Sequence, residues 1–281
     1  MKNGLVLEGG AMRGLFTTGV LDVFLENGIE FDGAVAVSAG AVFGCNIKSK
    51  QIGRAIRYNM AFSKDKRYCG FHSLLTTGNF YNAEFCYRTI PRELDIFDTT
   101  TYKENPMDFY VVTTNAVTGE AVYHNCLTGD DTDIDWLRAS ASMPIVSRDV
   151  IIDGTPYLDG GIADSIPISF AKSLGYDKSI VILTQPKGYE KEKFGMLFLA
   201  KKIYKERPAL ISALATRHER YNAALKEVER EEKEGCVFVL RPEKTLPVKR
   251  TERSPQSLLA VYMEGRRLAI KRLDDIKEFL N

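Results

Sequence analysis

Near its start the chain shows one pattern two times in succession: an apolar run, a turn of small residues, and apolar residues at helical spacing. Residues 4–7 form the first run, and residues 15–25 carry the helical pattern that follows its turn. Residues 33–37 form the second run, and residues 39–47 follow it. Helices that connect successive buried strands place those strands side by side in a parallel sheet. The repeat therefore predicts an α/β fold with a mainly parallel sheet.

The alternation continues along the rest of the chain. Four further segments are typical of strands: residues 109–114, 121–124, 179–184 and 236–240. Five are typical of helices: residues 83–90, 134–142, 164–174, 208–233 and 255–279. Charged residues become frequent after residue 186, but no linker separates that part. We therefore expect one domain over residues 1–281, with its core motifs in residues 4–185 and a helical, charged elaboration in residues 186–281.

Charge and cysteine usage exclude several classes of protein. The net charge is +1 and the pI about 7.6, so nothing electrostatic favours nucleic acid as a partner. The five cysteines are scattered, without a C-x-x-C pair, which favours reduced thiols over a disulfide framework or a zinc site. The first apolar run is too short for a signal peptide, and no stretch reaches the roughly 18 apolar residues of a membrane span. The sequence thus predicts a cytoplasmic protein.

Ser38 stands where the second predicted strand meets its helix, among residues with very small side chains. The segment Ala36-Val37-Ser38-Ala39-Gly40 is close to the G-x-S-x-G of a nucleophile elbow, in which a tight turn presents a serine hydroxyl. A helix that begins after Ser38 would also direct N–H groups and its positive dipole end toward the reacting atoms. Serine is equally common as a helix N-cap. On this segment alone, Ser38 is either a nucleophile or a cap.

The turn after the first predicted strand is a glycine loop, Glu8-Gly9-Gly10-Ala11-Met12-Arg13-Gly14. Its backbone N–H groups suit two ligands. One is a dinucleotide pyrophosphate, because the loop misses G-x-G-x-x-G by one substitution, but that motif needs an acidic residue where the second strand ends, and this chain has Ser38 there. The other is the oxyanion of an attacked carbonyl. With a serine on the next strand end, the oxyanion fits better.

A nucleophilic serine needs a proton acceptor, and histidine is the usual one. The chain has three: His72 in a loop-like region, His124 in a predicted strand and His218 in a predicted helix. We expect all three to be structural. Asp159 is the better partner, because the two glycines that follow it leave room for another group to approach. Burial would have to raise its pKa above the ordinary value of about 3.9 for it to act as a base.

Together these segments resemble the patatin-like phospholipase family. The resemblance covers about residues 4–185 and also includes Arg-Ala-Ser-Ala-Ser-Met-Pro at residues 138–144 and the Asp-Gly-Gly motif that begins at Asp159. It implies a three-layer sandwich, in which helices flank a mainly parallel central sheet. It also implies hydrolysis of lipid acyl esters by a Ser-Asp dyad, without histidine, metal or cofactor.

Carried over residue by residue, the resemblance makes Ser38 the nucleophile and Asp159 the base. The flanking motif residues are Ala36, Val37, Ala39 and Gly40 in the elbow, and Gly160 and Gly161 after the aspartate. The oxyanion hole falls to Gly9, Gly10, Ala11, Met12, Arg13 and Gly14, with the N–H groups of Gly10 and Ala11 as donors. Ala36 and Ala11 replace glycines of the family's pattern. Neither removes an N–H group, so they bear on loop geometry and rate rather than on the reaction type.

Two other hypotheses stay open: a nucleotide- or dinucleotide-binding domain that uses residues 9–14, and an inactive member that binds lipid or a partner protein. The expected partner is a lipid or acyl-ester substrate, with transient contact to a membrane surface.

Arg13 is either a phosphate ligand or a structural arginine. The acidic residues at 129–135 begin like a calcium loop but favour a helix cap. Residues 194–205 favour a helix over the acyl pocket or in the core.

Overall fold

The computed structural model describes residues 2–281, which contain one eight-stranded sheet. Its strands are β1 (Asn3–Leu7), β2 (Gly33–Val37), β3 (Asp108–Asn115), β4 (Ala121–Asn125), β5 (Val150–Ile152), β6 (Thr155–Asp159), β7 (Lys178–Ile182) and β8 (Val237–Leu240). The spatial order is β5-β6-β3-β2-β1-β7-β8, with β4 also paired to β3. The run from β3 to β8 is parallel, whereas the β3–β4, β3–β6 and β5–β6 pairs are antiparallel. The sheet is thus mainly parallel, as predicted.

Helices connect the strands. They are α1 (Gly14–Glu26), α2 (Ala39–Lys48), α3 (Arg54–Phe62), α4 (Phe71–Thr77), α5 (Thr99–Glu104), α6 (Asp131–Ser140), α7 (Ile168–Ser173), α8 (Leu197–Ile203), α9 (Pro208–Lys233), α10 (Pro255–Lys271) and α11 (Leu273–Leu280). A π-helical segment, Phe85–Leu94, lies between α4 and α5. Helix α9 has the predicted bounds, with a proline in its first turn, where a missing N–H costs no helical hydrogen bond.

The helices form one layer on each face of the sheet. Along β1, Leu5 and Leu7 pack in one hydrophobic cluster with residues of α1, α2 and α10, whereas Val6 packs in a second with residues of α7 and α9. Side chains alternate between the two faces of a strand, so a strand covered on both faces must be apolar throughout. The three-layer sandwich is confirmed.

The pairing of three strands brings the predicted motifs to one place. Leu7 of β1 pairs with Ala36 of β2, so the turns that follow these parallel strands lie at the same edge of the sheet. Asp159 pairs with Thr113, near the carboxyl end of the parallel strand β3. The glycine loop, Ser38 and Asp159 therefore meet at that edge, although they are far apart in sequence.

The charged region after residue 186 is built into the sandwich. Its strand β8 extends the sheet beside β7, and its helix α10 crosses α1 in very close contact. A Cβ added to Gly19 would lie 2.1 Å from Tyr262 O, and one added to Gly265 would lie 1.9 Å from Phe16 O. Only glycine permits this approach of two helix backbones.

Several local predictions were wrong. The helix predicted at residues 255–279 is two helices, because Arg272 leaves helical geometry with φ −105° and ψ 11°. The predicted helix at 83–90 is the longer π-helical segment, which contains Pro91. His72 lies on α4 rather than in a loop. Strands β5 and β6 and helices α3 to α5 were not predicted, since short segments carry too little periodic signal.

The structure places one face of residues 194–205 in the core. Helix α8 packs against α9, and Ala200 and Tyr204 are buried in a hydrophobic cluster, whereas Phe198 is 84% exposed. Asp130 caps α6 by accepting the N–H groups of Thr132 and Asp133, which confirms the capping role of the acidic run. Within residues 2–281, no helix combines the length and apolar character needed to cross a bilayer.

Candidate active site

Ser38 occupies a strained turn between β2 and α2. Its backbone has φ 55° and ψ −124°, values that a residue with a side chain rarely adopts, and its hydroxyl makes no cap hydrogen bond to α2. Ser38 thus occupies the N-cap position of α2, but its side chain does not cap the helix. Gly40 permits the turn, because a Cβ there would lie 2.7 Å from Glu8 O and 2.8 Å from Leu7 O. The tight packing of small residues turns the hydroxyl away from the helix.

Residues 138–144, which end α6, hold this turn in place. The N–H of Ser38 donates to Ser140 Oγ over 2.7 Å, and Ser140 Oγ donates to Val112 O of β3 over 2.6 Å. The N–H of Asp159 donates to Ser142 O over 2.8 Å. One segment thus fixes the backbone on both sides of the site.

Asp159 lies beside the Ser38 hydroxyl. Ser38 Oγ donates to Asp159 Oδ2 over 2.7 Å, and the N–H of Gly161 donates to Asp159 Oδ1 over 2.8 Å. The carboxylate is buried, and burial raises its pKa above the ordinary value. The positive charge of Arg217 and the hydrogen bond from Ser38 act in the opposite direction. The carboxyl is thus a stronger proton acceptor than an exposed aspartate.

The glycine loop lies against the serine. A Cβ on Gly9 would come within 3.0 Å of Ser38 Cβ. Among the described residues, no backbone hydrogen bond uses the N–H of Gly9, Gly10 or Ala11. Residues 11–13 form one 3-10 turn before α1, and Met12 is buried. Ala11 has φ 49°, a left-handed conformation usual for glycine, so the alanine preserves the loop at a cost of about 1–2 kcal/mol.

Glu8, at the start of the loop, is a buried carboxylate that anchors it. Its Oε1 accepts from the Tyr221 hydroxyl over 2.6 Å, and its Oε2 accepts from the N–H of Thr184 over 2.6 Å. Glu8 is 1% exposed, so both bonds offset its desolvation. Tyr221 belongs to α9, and the later part of the chain therefore holds the loop in place.

Two pockets meet at Ser38. The apolar pocket extends from Ser38 between α2, α3, α6 and the π-helical segment; its lining is almost wholly hydrophobic and includes Val42, Phe43, Tyr58, Ile90, Phe97 and Leu137. A second pocket, the cationic pocket, also includes Ser38 and contains Asp159 together with Arg13, Lys191, Arg217 and Arg250. An ester held at Ser38 would therefore have one apolar and one charged environment at its two ends.

The three histidines do not line either pocket. His124 stacks on Trp136 with ring centroids 4.3 Å apart, and its Nε2 lies 3.6 Å from Asp133 Oδ1. His218 is on α9, with Nε2 3.8 Å from Glu219. Ser38 has an aspartate, and not a histidine, within hydrogen-bond distance.

Two groups of side chains have metal-ligand spacing in residues 2–281: His124, Cys126 and Asp133, and Glu231, Glu234 and Cys236. Neither group shares a residue with the two pockets. In the first, Asp133 Oδ2 accepts the N–H groups of Thr128 and Gly129, each over 2.7 Å, which is a structural use of the carboxylate.

The sequence interpretation missed Glu8 and Tyr221 and the cations Lys191, Arg217 and Arg250. The three cations lie in a part of the chain rich in Lys, Arg and Glu, and such a composition is typical of a solvated surface. Arg217 also lies on a long helix rich in charged residues, most of which are exposed or half-buried. Helix α9 docks against the turn that follows β6, and this brings Arg217 to the carbonyl of Gly161, beside Asp159.

Comparisons with known proteins follow the same division of the chain. The family model described as Patatin-like phospholipase matches residues 5–172, and one described as Domain of unknown function (DUF6363) matches residues 207–281. The chain is 31% identical over 199 residues to "Uncharacterized protein YjjU" of Escherichia coli, covering 65% of this chain and 52% of that protein. It is 29% identical over 188 residues to "Lysophospholipase NTE1" of Chaetomium globosum, covering 62% of this chain and 11% of that protein.

The chain thus spans about half the length of the first relative and about a tenth of the second. "Lysophospholipase nte1" of Emericella nidulans is 28% identical over 212 residues, covering 69% of this chain and 13% of that protein. The crystal structure of VipD from Legionella pneumophila aligns with a TM-score of 0.48 at 14% identity, covering 98% of this chain and 67% of that chain.

Proposed function

This chain belongs to the patatin-like phospholipase family, and from that premise we propose that it hydrolyses acyl esters of lipids with Ser38 as nucleophile and Asp159 as base. One observation carries the proposal: Ser38 Oγ donates a 2.7 Å hydrogen bond to Asp159 Oδ2 at the junction of the apolar and cationic pockets. A hydroxyl on a strained turn, bonded to a buried carboxylate, is the arrangement of an activated nucleophile.

In this mechanism Ser38 Oγ attacks the ester carbonyl carbon while its proton passes to Asp159 Oδ2. The carbonyl oxygen becomes an oxyanion, which the N–H groups of Gly10 and Ala11 stabilise. As the tetrahedral intermediate collapses, the alcohol leaves with the proton from Asp159, and the acyl group stays on Ser38. Water then attacks the acyl-enzyme and gives a proton to Asp159. The fatty acid departs as Ser38 regains its proton.

The environment of Asp159 supports its role as the base. Burial raises its pKa, which strengthens the proton affinity of the carboxylate, and the positive charge of Arg217 limits the rise. The carboxylate therefore has a greater proton affinity than an exposed aspartate and accepts the serine proton as attack proceeds. The N–H of Gly161 fixes Oδ1, so that Oδ2 faces the serine.

The apolar pocket suits the acyl chain. It opens at Ser38 and is lined by aliphatic and aromatic side chains, so an alkyl chain gains the free energy of leaving water, about 0.8 kcal/mol per methylene. The name of the fungal relatives, lysophospholipase, supports a single-chain lipid as substrate.

We further propose that the chain is one domain and that it acts in the cytoplasm at a membrane surface. Strand β8 and helix α10 complete the sheet and the helix layer that hold the site. All five cysteines are free thiols, as a reducing compartment requires. Phe71 and Leu75 of α4 and Phe198 of α8 are largely exposed, which suits transient contact with lipid.

The dinucleotide hypothesis has less support. The residue after β2 is Ser38 rather than an acid for the ribose, and Glu8, the acid nearest the loop, is occupied by Tyr221 and Thr184. The inactive-member hypothesis is weakened because both members of the dyad are present and in contact. Binding of NAD by the purified protein would support the dinucleotide hypothesis.

Replacing Ser38 tests the proposal. We expect Ser38→Ala to lower kcat/KM for p-nitrophenyl esters and for a lysophospholipid by about 10³ or more, because no other group forms the acyl-enzyme. A fluorophosphonate probe should label wild-type Ser38 and leave the variant unlabelled. Ser169→Ala, an exposed serine on α7, is the matched control and should keep full activity.

Two results would contradict the proposal. Hydrolysis that persists in a folded Ser38→Ala variant would require another nucleophile. A wild-type protein that hydrolyses none of these esters would instead support the inactive, lipid-binding member.

A further inference from the structure

The cationic pocket holds more positive charge than its surroundings neutralise. Arg13, Lys191, Arg217 and Arg250 all line it. In residues 2–281, none of these four has a carboxylate oxygen within 4.0 Å, although most other buried or half-buried cations of the chain form such pairs. Like charges brought together without counterions repel one another, so a bound anion would stabilise the cluster.

The acidic groups nearby are already in use. Glu8 accepts from Tyr221 and from the N–H of Thr184, and Asp159 accepts from Ser38 and from the N–H of Gly161. Burial and the charges of Arg217, Arg250 and Arg13 together lower the pKa of Lys191 to about 7, against the opposing charge of Glu8. Burial is the largest cause of this shift, and the neighbouring cations add to it, as expected where like charges face one another without an anion between them.

The cations are positioned by the fold. The N–H of Lys191 donates to Asn222 Oδ1 over 2.8 Å, Asn222 Nδ2 donates back to Lys191 O over 3.1 Å, and Lys191 Nζ lies 4.0 Å from the centre of the Tyr221 ring. Arg217 Nε donates to Gly161 O, beside the catalytic aspartate. Arg250 is exposed at the mouth of the pocket. Two of these cations are therefore fixed before any ligand arrives.

We propose that Lys191, Arg217 and Arg250, with Arg13, bind a phosphate group, and that this phosphate is carried by the alcohol half of the ester cleaved at Ser38. The inference rests on the proposed function. Several guanidinium groups and an ammonium suit a multiply charged anion with several oxygen acceptors. The apolar pocket takes the acyl half, so the cationic pocket, which also includes Ser38, faces the leaving alcohol.

This assignment gives the later part of the chain a role in substrate choice. Lys191, Arg217 and Arg250 all lie beyond residues 5–172, the part that matches the patatin-like family model, and two of them lie in residues 207–281. The first part of the chain carries the reacting groups, and the second part selects which ester reaches them.

The test compares two substrates with the same acyl chain, oleoyl lysophosphatidate and oleoyl glycerol, on Lys191→Met and Arg250→Met. We measure the kcat/KM for the phosphate ester divided by the kcat/KM for the neutral ester. This ratio should fall about tenfold in Lys191→Met, because one charge-assisted hydrogen bond is lost. It should fall less in Arg250→Met, because Arg250 is exposed. Lys193→Met, an exposed lysine two residues away and outside the pocket, is the matched control and should leave the ratio unchanged.

A second arm measures the thermal shift that inorganic phosphate produces, against chloride at equal ionic strength. A smaller ratio together with loss of the phosphate shift supports binding of the substrate's own phosphate. Loss of the shift with an unchanged ratio assigns the pocket to free phosphate and overturns the substrate assignment. No change in either overturns the anion site. The phosphate arm does not depend on hydrolysis, so failure of the proposed function and failure of this inference give different results.

Discussion

The two sides of Ser38 differ in chemistry and in origin. The apolar pocket is built by residues 11–143, all within the part that matches the family model. The cationic pocket takes three of its four cations from residues 191–250. If the proposed function holds, bond cleavage and acyl binding belong to the part of the chain that matches the family model, whereas the later region supplies most of the cations on the leaving-group side. Changes at the dyad, the apolar pocket and the cationic pocket should therefore have separable effects.

The largest effect should come from the dyad, which both sides share. Asp159→Asn keeps the shape of the side chain but removes the proton acceptor, so kcat should fall about 10²–10⁴-fold. The fall should be equal for the phosphate and the neutral ester, because Asp159 acts on the bond between the two pockets. Turnover and thermal stability measured on one preparation give the result. Full turnover in a folded Asp159→Asn protein would refute the dyad.

A smaller effect should come from the apolar side alone. Val42 of α2 lines the apolar pocket one turn after Ser38, and Val42→Phe would fill part of it. If two methylenes of the substrate are excluded, kcat/KM for a long-chain ester should fall about tenfold relative to a short-chain ester. A series of p-nitrophenyl esters of graded length measures this. A change in the preference for phosphate in this variant would show that the two sides are not independent.

The cationic side should show a pH dependence of a few fold. The lowered pKa of Lys191, about 7, means that the amine loses its proton as the pH rises through that value. The preference for lysophosphatidate over the neutral ester should therefore weaken from about pH 6 to about pH 8. In Lys191→Arg the side chain stays charged over this pH range, so the decline should disappear. This variant therefore distinguishes the titration of Lys191 from the titration of the substrate phosphate. An equal decline in both proteins would contradict the role of Lys191.

The smallest effect should be on stability. The pKa of Lys191 lies below its ordinary value of 10.5, so between about pH 7 and that value the unfolded chain binds more protons and stability rises with pH. Lys191→Met removes the unfavourable charge, and its Tm near pH 7 should exceed that of the wild type by a few degrees. The difference should narrow as the pH rises. A lower Tm in the variant would mean that Lys191 is a structural residue.

The sequence was most informative where a residue's neighbours along the chain decide its conformation. The apolar runs at β1 and β2 and the small residues around Ser38 and Gly40 depend on local geometry, and the prediction of a mainly parallel sheet was confirmed. The helix at residues 255–279 was predicted too long, because its apolar spacing continues through Arg272 while the backbone does not.

The site was less predictable wherever distant residues meet. The approach of Asp159 to Ser38 depends on an antiparallel pairing of β6 with β3, and the five residues of β6 include a proline and lack the apolar run by which β1 and β2 were recognised. Arg217 and Tyr221 differ in no local feature from other polar residues of α9. Their roles arise from the docking of one 26-residue helix, which a single sequence does not encode in a readable pattern.

Helices α1 and α10 cross at Gly19 and Gly265, so the fold is complete only after the end of the chain has been synthesised. The Tyr262 hydroxyl of α10 donates a hydrogen bond to Asp22 of α1, 240 residues away. Strand β1, at the centre of the sheet, has β7 as its second neighbour, and β7 is synthesised much later than β1. Contacts of such long sequence separation form late, because the chain between them must first be ordered. During synthesis Ser38 therefore precedes most of the structure that holds it. Under the proposed function, a chain still growing on the ribosome would lack the structure that holds Ser38 and would not yet hydrolyse lipid.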